Sequence, residues 1–421
     1  MSERKWDVAV IGAGPAGLAA AIAADKAGAR VCLVERESRP GGILKQCIHD
    51  GFGLVRYGQK LSGPEYAWRD IQLLKERDVQ LFTDTFLLGL EVREEGFVLT
   101  LQNSEQAVFQ IVAKALVAAT GCRERTARQI FIHGERPAGV YTAGTVQRLI
   151  NLGGHLPGKN CVILGSGDIG LIMARRLTLE GAKVLGVYEI KPEPSGLTRN
   201  IVQCLEDYNI PLHLSTTVTR VHGSERVEGV TVSRVDDKLR PLLGTEEYVP
   251  CDTLVLSVGL IPENDMLLPL GAETDPRTGG PAVDQLMATY QAGLYSCGNA
   301  LHVNDLVDYV SESGEIAGRS AARYALGQLH HTRHVPVIPK GDIHYVVPQK
   351  LDIAAGGQAI ICFRSARTIA NAHLEISAGG KVLLEKKYPA VRPPEMERVV
   401  LDLTLLPEEA EALSLNLRGL E

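Results

Sequence analysis

Asp7-Val8-Ala9-Val10-Ile11-Gly12-Ala13-Gly14-Pro15-Ala16-Gly17 decides how this chain folds. The apolar run Val8-Ala9-Val10-Ile11 suits a strand buried on both faces. Gly12-x-Gly14-x-x-Gly17 follows at once, and the Ala/Leu-rich stretch 18–26 reads as a helix. In a dinucleotide turn Gly12 permits the tight bend, Gly14 lets the backbone approach a pyrophosphate, and Gly17 lets helix and strand pack closely. The pyrophosphate then meets the positive end of the helix dipole. A glycine turn can also be purely structural. Here, however, a second strand, Val31-Cys32-Leu33-Val34, ends in Glu35, 23 residues after Gly12. A carboxylate there accepts hydrogen bonds from a ribose diol.

The same device recurs as Asn160-Cys161-Val162-Ile163-Leu164-Gly165-Ser166-Gly167-Asp168-Ile169-Gly170, with Glu189 closing its second strand. Gly12 and Gly165 are 153 residues apart, and Glu35 and Glu189 are 154, so one architectural unit is repeated. Two such units imply two dinucleotides; one binding unit beside a decayed copy is the other reading. Ala115-Leu116-Val117-Ala118-Ala119-Thr120-Gly121 reads as a buried strand and small-residue turn, and the strand ending at Gly259 is its counterpart in the second unit. Leu294-Tyr295-Ser296-Cys297-Gly298-Asn299 is a further short strand and turn. Helices are expected at 63–77 and 311–326, the latter with Gly314, Ala317 and Gly318 for tight packing. The Pro-bearing stretch 335–339 reads as a linker, and alternating runs beyond it as antiparallel strands.

The fold class is therefore α/β, with two Rossmann-like dinucleotide-binding domains and a small C-terminal all-β domain. The expected divisions are 1–134 with 285–332, 135–284, and 335–421. At 421 residues, 45% hydrophobic, with a formal charge of −6 and no dominant basic run, the chain is not built as a general nucleic-acid binder. No apolar stretch reaches the roughly 18 residues of a membrane span. The first strand begins near residue 6, leaving no room for a signal peptide, so a cytoplasmic protein is expected. The eight cysteines contain no Cys-x-x-Cys pair, so neither a zinc ribbon nor an iron–sulfur cluster is visible; no metal is expected.

Together, the two Gly-x-Gly-x-x-Gly units, the Ala-Thr-Gly turn and the Tyr-x-Cys-Gly-Asn turn resemble the pyridine nucleotide–disulfide oxidoreductase superfamily over about residues 5–330. Gly-Gly-Ile-Leu-Lys-Gln-Cys-Ile-His-Asp-Gly-Phe-Gly and Gly-Ser-Gly-Asp-Ile-Gly-Leu-Ile-Met-Ala-Arg-Arg are similar to a bacterial subgroup. It includes NADH-oxidising flavoproteins associated with glycerol-3-phosphate dehydrogenases and subunits of opine oxidase and hydrogen cyanide synthase. The resemblance implies FAD in the first unit, with Gly12, Gly14 and Gly17 on the pyrophosphate and Glu35 on the adenosine ribose. Thr120 and Gly121 would run along the cofactor and Gly298 would meet its ribityl–pyrophosphate stretch. Pro15, Ala16, Arg36 and Gly42 are further binding candidates. The family usually has Gly-Asp where this chain has Gly298-Asn299, an acceptor without charge. The second unit would hold NAD(H) through Gly165, Gly167, Asp168, Ile169, Gly170, Glu189 and Gly259. Glu189 would repel the 2′-phosphate of NADP.

The missing dithiol separates this chain from the disulfide reductases of that superfamily. Cys47 stands 35 residues after Gly12, as the single redox cysteine of NADH peroxidases and oxidases does. Lys45 and His49 could lower its pKa, and Cys122 is a candidate partner; a loop thiol packed under the flavin is the plainer reading. The expected activity is FAD-dependent NAD(H) oxidation or reduction, with electrons passed to a second acceptor, a partner dehydrogenase subunit or carrier. Direct oxidation of a small amine, opine or polyol phosphate is one rival, and a mainly assembling subunit, dimeric or in a hetero-complex, is another.

Overall fold

The computed structural model describes residues 4–329 and 333–420, and the chain separates into two compact units, 1–122 with 262–421 and 123–261. In the first, a seven-stranded sheet is built around strand Arg4–Ile11. Val31–Val34 and Val79–Phe82 lie parallel on one side of it and Ala107–Ala118 on the other. Leu294–Ser296 also pairs parallel with Ala107–Ala118, while Gly96–Asn103 and Phe86–Arg93 extend the sheet antiparallel.

Helix α1, Pro15–Lys26, is buried at every residue from Ala16 to Ala24, so its alanine-rich sequence carries no polar face. One side of it meets the long helix Val307–Ala325. A Cβ on Gly314 would fall 2.1 Å from the Ala16 carbonyl oxygen, and one on Gly318 would fall 2.0 Å from that of Ala20. Only glycines allow that approach. Helix Gly63–Lys75 starts with a capping box in which Ser62 Oγ accepts from Glu65 N–H and the Glu65 carboxylate accepts from Ser62 N–H.

The second unit holds a five-stranded parallel sheet in the order Val140–Thr142, Thr253–Leu256, Asn160–Leu164, Lys183–Tyr188, Leu212–His213. Helix Asp168–Leu179 repeats the place of α1. A four-stranded sheet joins His133–Gly134 with Thr216–His222, Gly229–Arg234 and Glu247–Pro250. His133 and Gly134 pair with Arg220 and Val221, so the unit boundaries lie at 122/123 and 261/262, not at 134/135 and 284/285.

The C-terminal region forms a five-stranded and a three-stranded sheet around its own apolar core. It is not detached, because Tyr345 and Val347 belong to the core around α1. The stretch 335–339 is no linker but part of strand His334–Gly341, antiparallel to Lys350–Asp352 and parallel to Leu413–Gly419. Its two prolines masked the alternation that buries Val335 and Val337 while Pro336 and Ile338 face out. The helix expected at 311–326 begins at Val307, and a short 3-10 turn, Gly298–Ala300, precedes it.

Candidate functional site

Gly12 sits at φ +95° and Gly165 at φ +97°, so both turns leave their strands in the same left-handed bend. Gly17 and Gly170 press on those bends: a Cβ would lie 1.7 Å from the Gly12 carbonyl oxygen and 2.6 Å from that of Gly165. Gly14 caps α1 and Gly167 caps Asp168–Leu179, neither with a side chain to bond the first-turn amides, and in the second helix Ser257 Oγ accepts Gly170 N–H at 3.0 Å.

The two acids match atom for atom. Glu35 accepts Ala13 N–H and Glu37 N–H, both at 2.8 Å. Glu189 accepts Ser166 N–H at 3.0 Å and Lys191 N–H at 3.1 Å, and adds the Ser166 hydroxyl at 2.6 Å. Both are buried, at 7% and 4% exposure. Two backbone bonds per carboxylate fix its plane and leave lone pairs for a ribose diol. Each turn is then closed by the loop after the acid. Gly41 N–H reaches the Ala13 carbonyl at 2.8 Å and Gly42 lies against Gly14. In the second unit Ser195 N–H binds Ser166 Oγ at 2.9 Å, and Asp168 Oδ1 takes Leu197 N–H at 2.9 Å and Asn200 Nδ2–H at 2.7 Å. The Asp168 carboxylate thus holds this strap. Ser166, Ser195 and Asn200 were not singled out from sequence, because only folding brings the strap over the turn. Gly259 faces Arg125, whose N–H binds its carbonyl at 3.0 Å.

Three distant segments of the first unit converge beyond the first turn. Thr120 Oγ1 donates to the Glu263 carbonyl at 2.5 Å, and Glu263 N–H to the Gly121 carbonyl at 2.9 Å. Asn264 Nδ2 donates to the Ala300 carbonyl at 2.7 Å. Asn299 Nδ2 donates to Cys122 Sγ at 3.7 Å, while its Oδ1 accepts Asn304 N–H at 3.1 Å. Gly298, at φ +63°, packs on Ala16, where a Cβ would come within 2.8 Å of that side chain. Thr120, Gly121, Cys122, Gly298 and Asn299 therefore share one place with Gly14–Gly17. His302, buried beside them, has its imidazole pKa pushed down to about 3 by desolvation and by Arg364. Asp308 accepts Gly53 N–H and Arg56 N–H, and so holds loop 53–56 on the start of helix Val307–Ala325.

Lys45 and Cys47 do not cooperate as expected. Lys45 Nζ binds Glu37 Oε2 at 2.5 Å and the Arg39 carbonyl at 2.6 Å. The Cys47 thiol donates to the Ile43 carbonyl at 3.3 Å, and burial pushes its pKa up to about 12 rather than down. His49 packs on Phe52, ring centroids 5.0 Å apart. No disulfide joins Cys47 to Cys122. Arg36 is exposed beside Glu35.

Turns that lead into glycine-capped helices, with a buried acid beneath each and glycines at the closest approaches, fit two dinucleotides. The chain belongs to the pyridine nucleotide-disulphide oxidoreductase family, matched over residues 6–328. Members of that family are FAD-dependent oxidoreductases that bind FAD and NAD(P)H. An opine oxidase subunit from Agrobacterium tumefaciens is 27% identical over 77% of this chain and 66% of its own length. Hydrogen cyanide synthase subunit HcnB of Pseudomonas protegens is 28% identical over 63% of this chain and 58% of its own. The chain thus matches about two-thirds or less of these relatives. Thioredoxin reductase of T. acidophilum shares the fold, with a TM-score of 0.64 at 22% identity over 77% of this chain and 100% of that one. The family match stops before strand His334–Gly341, and among the described residues no helix is long and apolar enough to cross a membrane.

Proposed function

We propose that the protein is an FAD-dependent NAD(H) oxidoreductase that takes reducing equivalents from NADH and passes them to a second acceptor, a partner dehydrogenase subunit or electron carrier. The observation that carries this is the matching backbone hydrogen bonding of Glu35 and Glu189 under two glycine turns. It supports FAD in the first unit and NAD(H) in the second. When bound, the flavin supplies the hydride chemistry. The residues do the rest. Glu35 and Glu189 would orient the riboses, the starts of helices Pro15–Lys26 and Asp168–Leu179 would receive the pyrophosphates, and Thr120, Gly121, Gly298 and Asn299 would hold the first cofactor beyond its pyrophosphate. Glu189, held in place by Ser166 and Lys191, favours NAD over NADP because its carboxylate would repel a 2′-phosphate. All eight cysteines are thiols rather than disulfides, which supports a reducing compartment, the cytoplasm.

A partner is favoured by one surface. Ile43, Ile48, Leu54 and Val55 in segment 43–55 and Trp68 on helix Gly63–Lys75 are all exposed, Gly63 packs against Leu44 and Cys47 of that segment, and exposed apolar surface of this kind supports an interaction site. Two of the relatives are, by name, subunits. Anaerobic titration with NADH tests the core reading: the oxidised flavin absorbance should bleach with one equivalent. A yellow protein that NADH leaves unbleached would overturn it. Bleaching by an opine, amine or polyol phosphate without NADH would establish the direct-oxidase reading instead.

A further inference from the structure

Strands His334–Gly341 and Lys350–Asp352 run antiparallel, in a register that sets His334 opposite Asp352. The pair is clasped to the loop ahead of Leu294–Ser296. Gln285 Nε2 donates to the Asp352 carbonyl at 2.7 Å and its Oε1 accepts Asp352 N–H at 2.8 Å, while the Val283 carbonyl takes Gln349 N–H at 3.1 Å. The clasp brings in Asp284. Its Oδ2 lies 3.5 Å from His334 Nε2, and one ligand atom each from Asp284, His334 and Asp352 lies within 4.8 Å of the others. Among the described residues no other three such side chains stand close enough to share an ion.

The chemistry of the cluster calls for a cation. Asp284 and Asp352 are both fully buried, whereas His334 reaches solvent. Asp284 Oδ1 accepts Leu286 N–H and Ala288 N–H, but Oδ2 has no hydrogen bond. A buried carboxylate oxygen is costly unless it is paired or coordinated. The neighbouring buried ammonium, Lys350, donates to the Thr289 carbonyl at 3.2 Å and lies 3.6 Å above the Tyr290 ring, so its hydrogen bond and ring contact go elsewhere than to Asp284 Oδ2. At 3.5 Å the Asp284–His334 spacing is long for a hydrogen bond. It matches the edge of a tetrahedron around an ion with ligands at about 2.1 Å, which is roughly 3.4 Å.

We propose that Asp284, His334 and Asp352 form a binding site for a divalent metal of the zinc type, completed by solvent on the exposed His334 side. The ion ties the C-terminal β region to the loop that leads into the Gly298 turn. One imidazole with two carboxylates suits Zn²⁺, with Mn²⁺ weaker, and not the all-oxygen shells of Ca²⁺ or Mg²⁺. The test uses the full-length flavoprotein stripped with a chelator, titrated calorimetrically with ZnCl₂ and checked by elemental mass spectrometry. The wild type should bind one more Zn²⁺ per chain than His334→Ala, and its melting temperature should rise with zinc while that of the variant does not. Asp284→Asn should weaken the same site at least tenfold. His334 is exposed, so its variant decides the matter if Asp284→Asn fails to fold. Equal zinc stoichiometry and affinity in wild type and His334→Ala would overturn the proposal.

Discussion

Asn299 donates its side-chain amide to the sulfur of Cys122 at 3.7 Å and accepts the backbone of Asn304 on its other face. One uncharged side chain thus performs two tasks, and an aspartate could keep only the second. In Asn299→Asp a carboxylate faces the sulfur and a donor is lost. Alkylation of Cys122 by iodoacetamide should slow by about threefold, the size of one weak hydrogen bond. Peptide mass spectrometry at fixed pH reads the rate, and an unchanged rate would show that the amide does not act on the thiol.

Glu35 and Glu189 should separate the two cofactors. Glu35→Ala leaves the amides of Ala13 and Glu37 unbound and removes the ribose acceptor, so the purified variant should lose most of its flavin. Glu189→Ala should keep its flavin and raise the apparent Kd for NADH by roughly tenfold to a hundredfold, the loss of two or so charge-assisted hydrogen bonds. Flavin content by absorbance and NADH binding by anaerobic titration give the two readouts.

Cys47, half-buried, should behave as an unactivated thiol. With its pKa near 12, only about one molecule in ten thousand carries a thiolate at pH 8. Cys47→Ser should therefore leave the rate of flavin reduction by NADH within about twofold. The sign of its stability effect follows from the raised folded-state value. The contribution is full below about pH 8.5, where the unfolded thiol ionises, and is lost as pH rises toward 12. Cys297, also pushed to about 12 by burial, adds to the same alkaline loss, measurable as a falling denaturant midpoint.

His302 acts at the other end of the pH scale. Its folded-state pKa is depressed to about 3 and its Nδ1 is buried without a hydrogen bond. The neutral ring is thus compatible with folding, while the unfolded chain takes up a proton below about pH 6.5. Stability is full above that value and falls as pH drops toward 3, by up to about 1.4 kcal/mol per pH unit. His302→Gln should flatten the dependence of the melting temperature on pH between 6.5 and 4. If its slope equals that of the wild type, His302 is not the group responsible.

The sheet and turns of both units were legible because each rests on local chemistry: apolar runs, glycines at fixed offsets and an acid at the second strand's end. The close crossing at Gly314 and Gly318 was legible for the same reason. Local signals failed where a distant partner decided the outcome. Pro336 and Pro339 spoke for a linker, yet pairing with Lys350–Asp352 and Leu413–Gly419 made a strand of it. Lys45, two residues from Cys47, looked like its activator until Glu37 took the ammonium.

By itself, then, the amino-acid order determined a repeated dinucleotide-binding architecture, since strand, bend and helix are set by residues within a few positions of one another. Tertiary structure alone decided which polar groups face which. It set Glu263 on Thr120, Asn299 on Cys122, Ser195 on Ser166 and Asp284 on His334. Such pairings join residues between 29 and 177 positions apart. They arise because desolvated donors and acceptors must find partners wherever packing brings them together, and no local pattern encodes that choice.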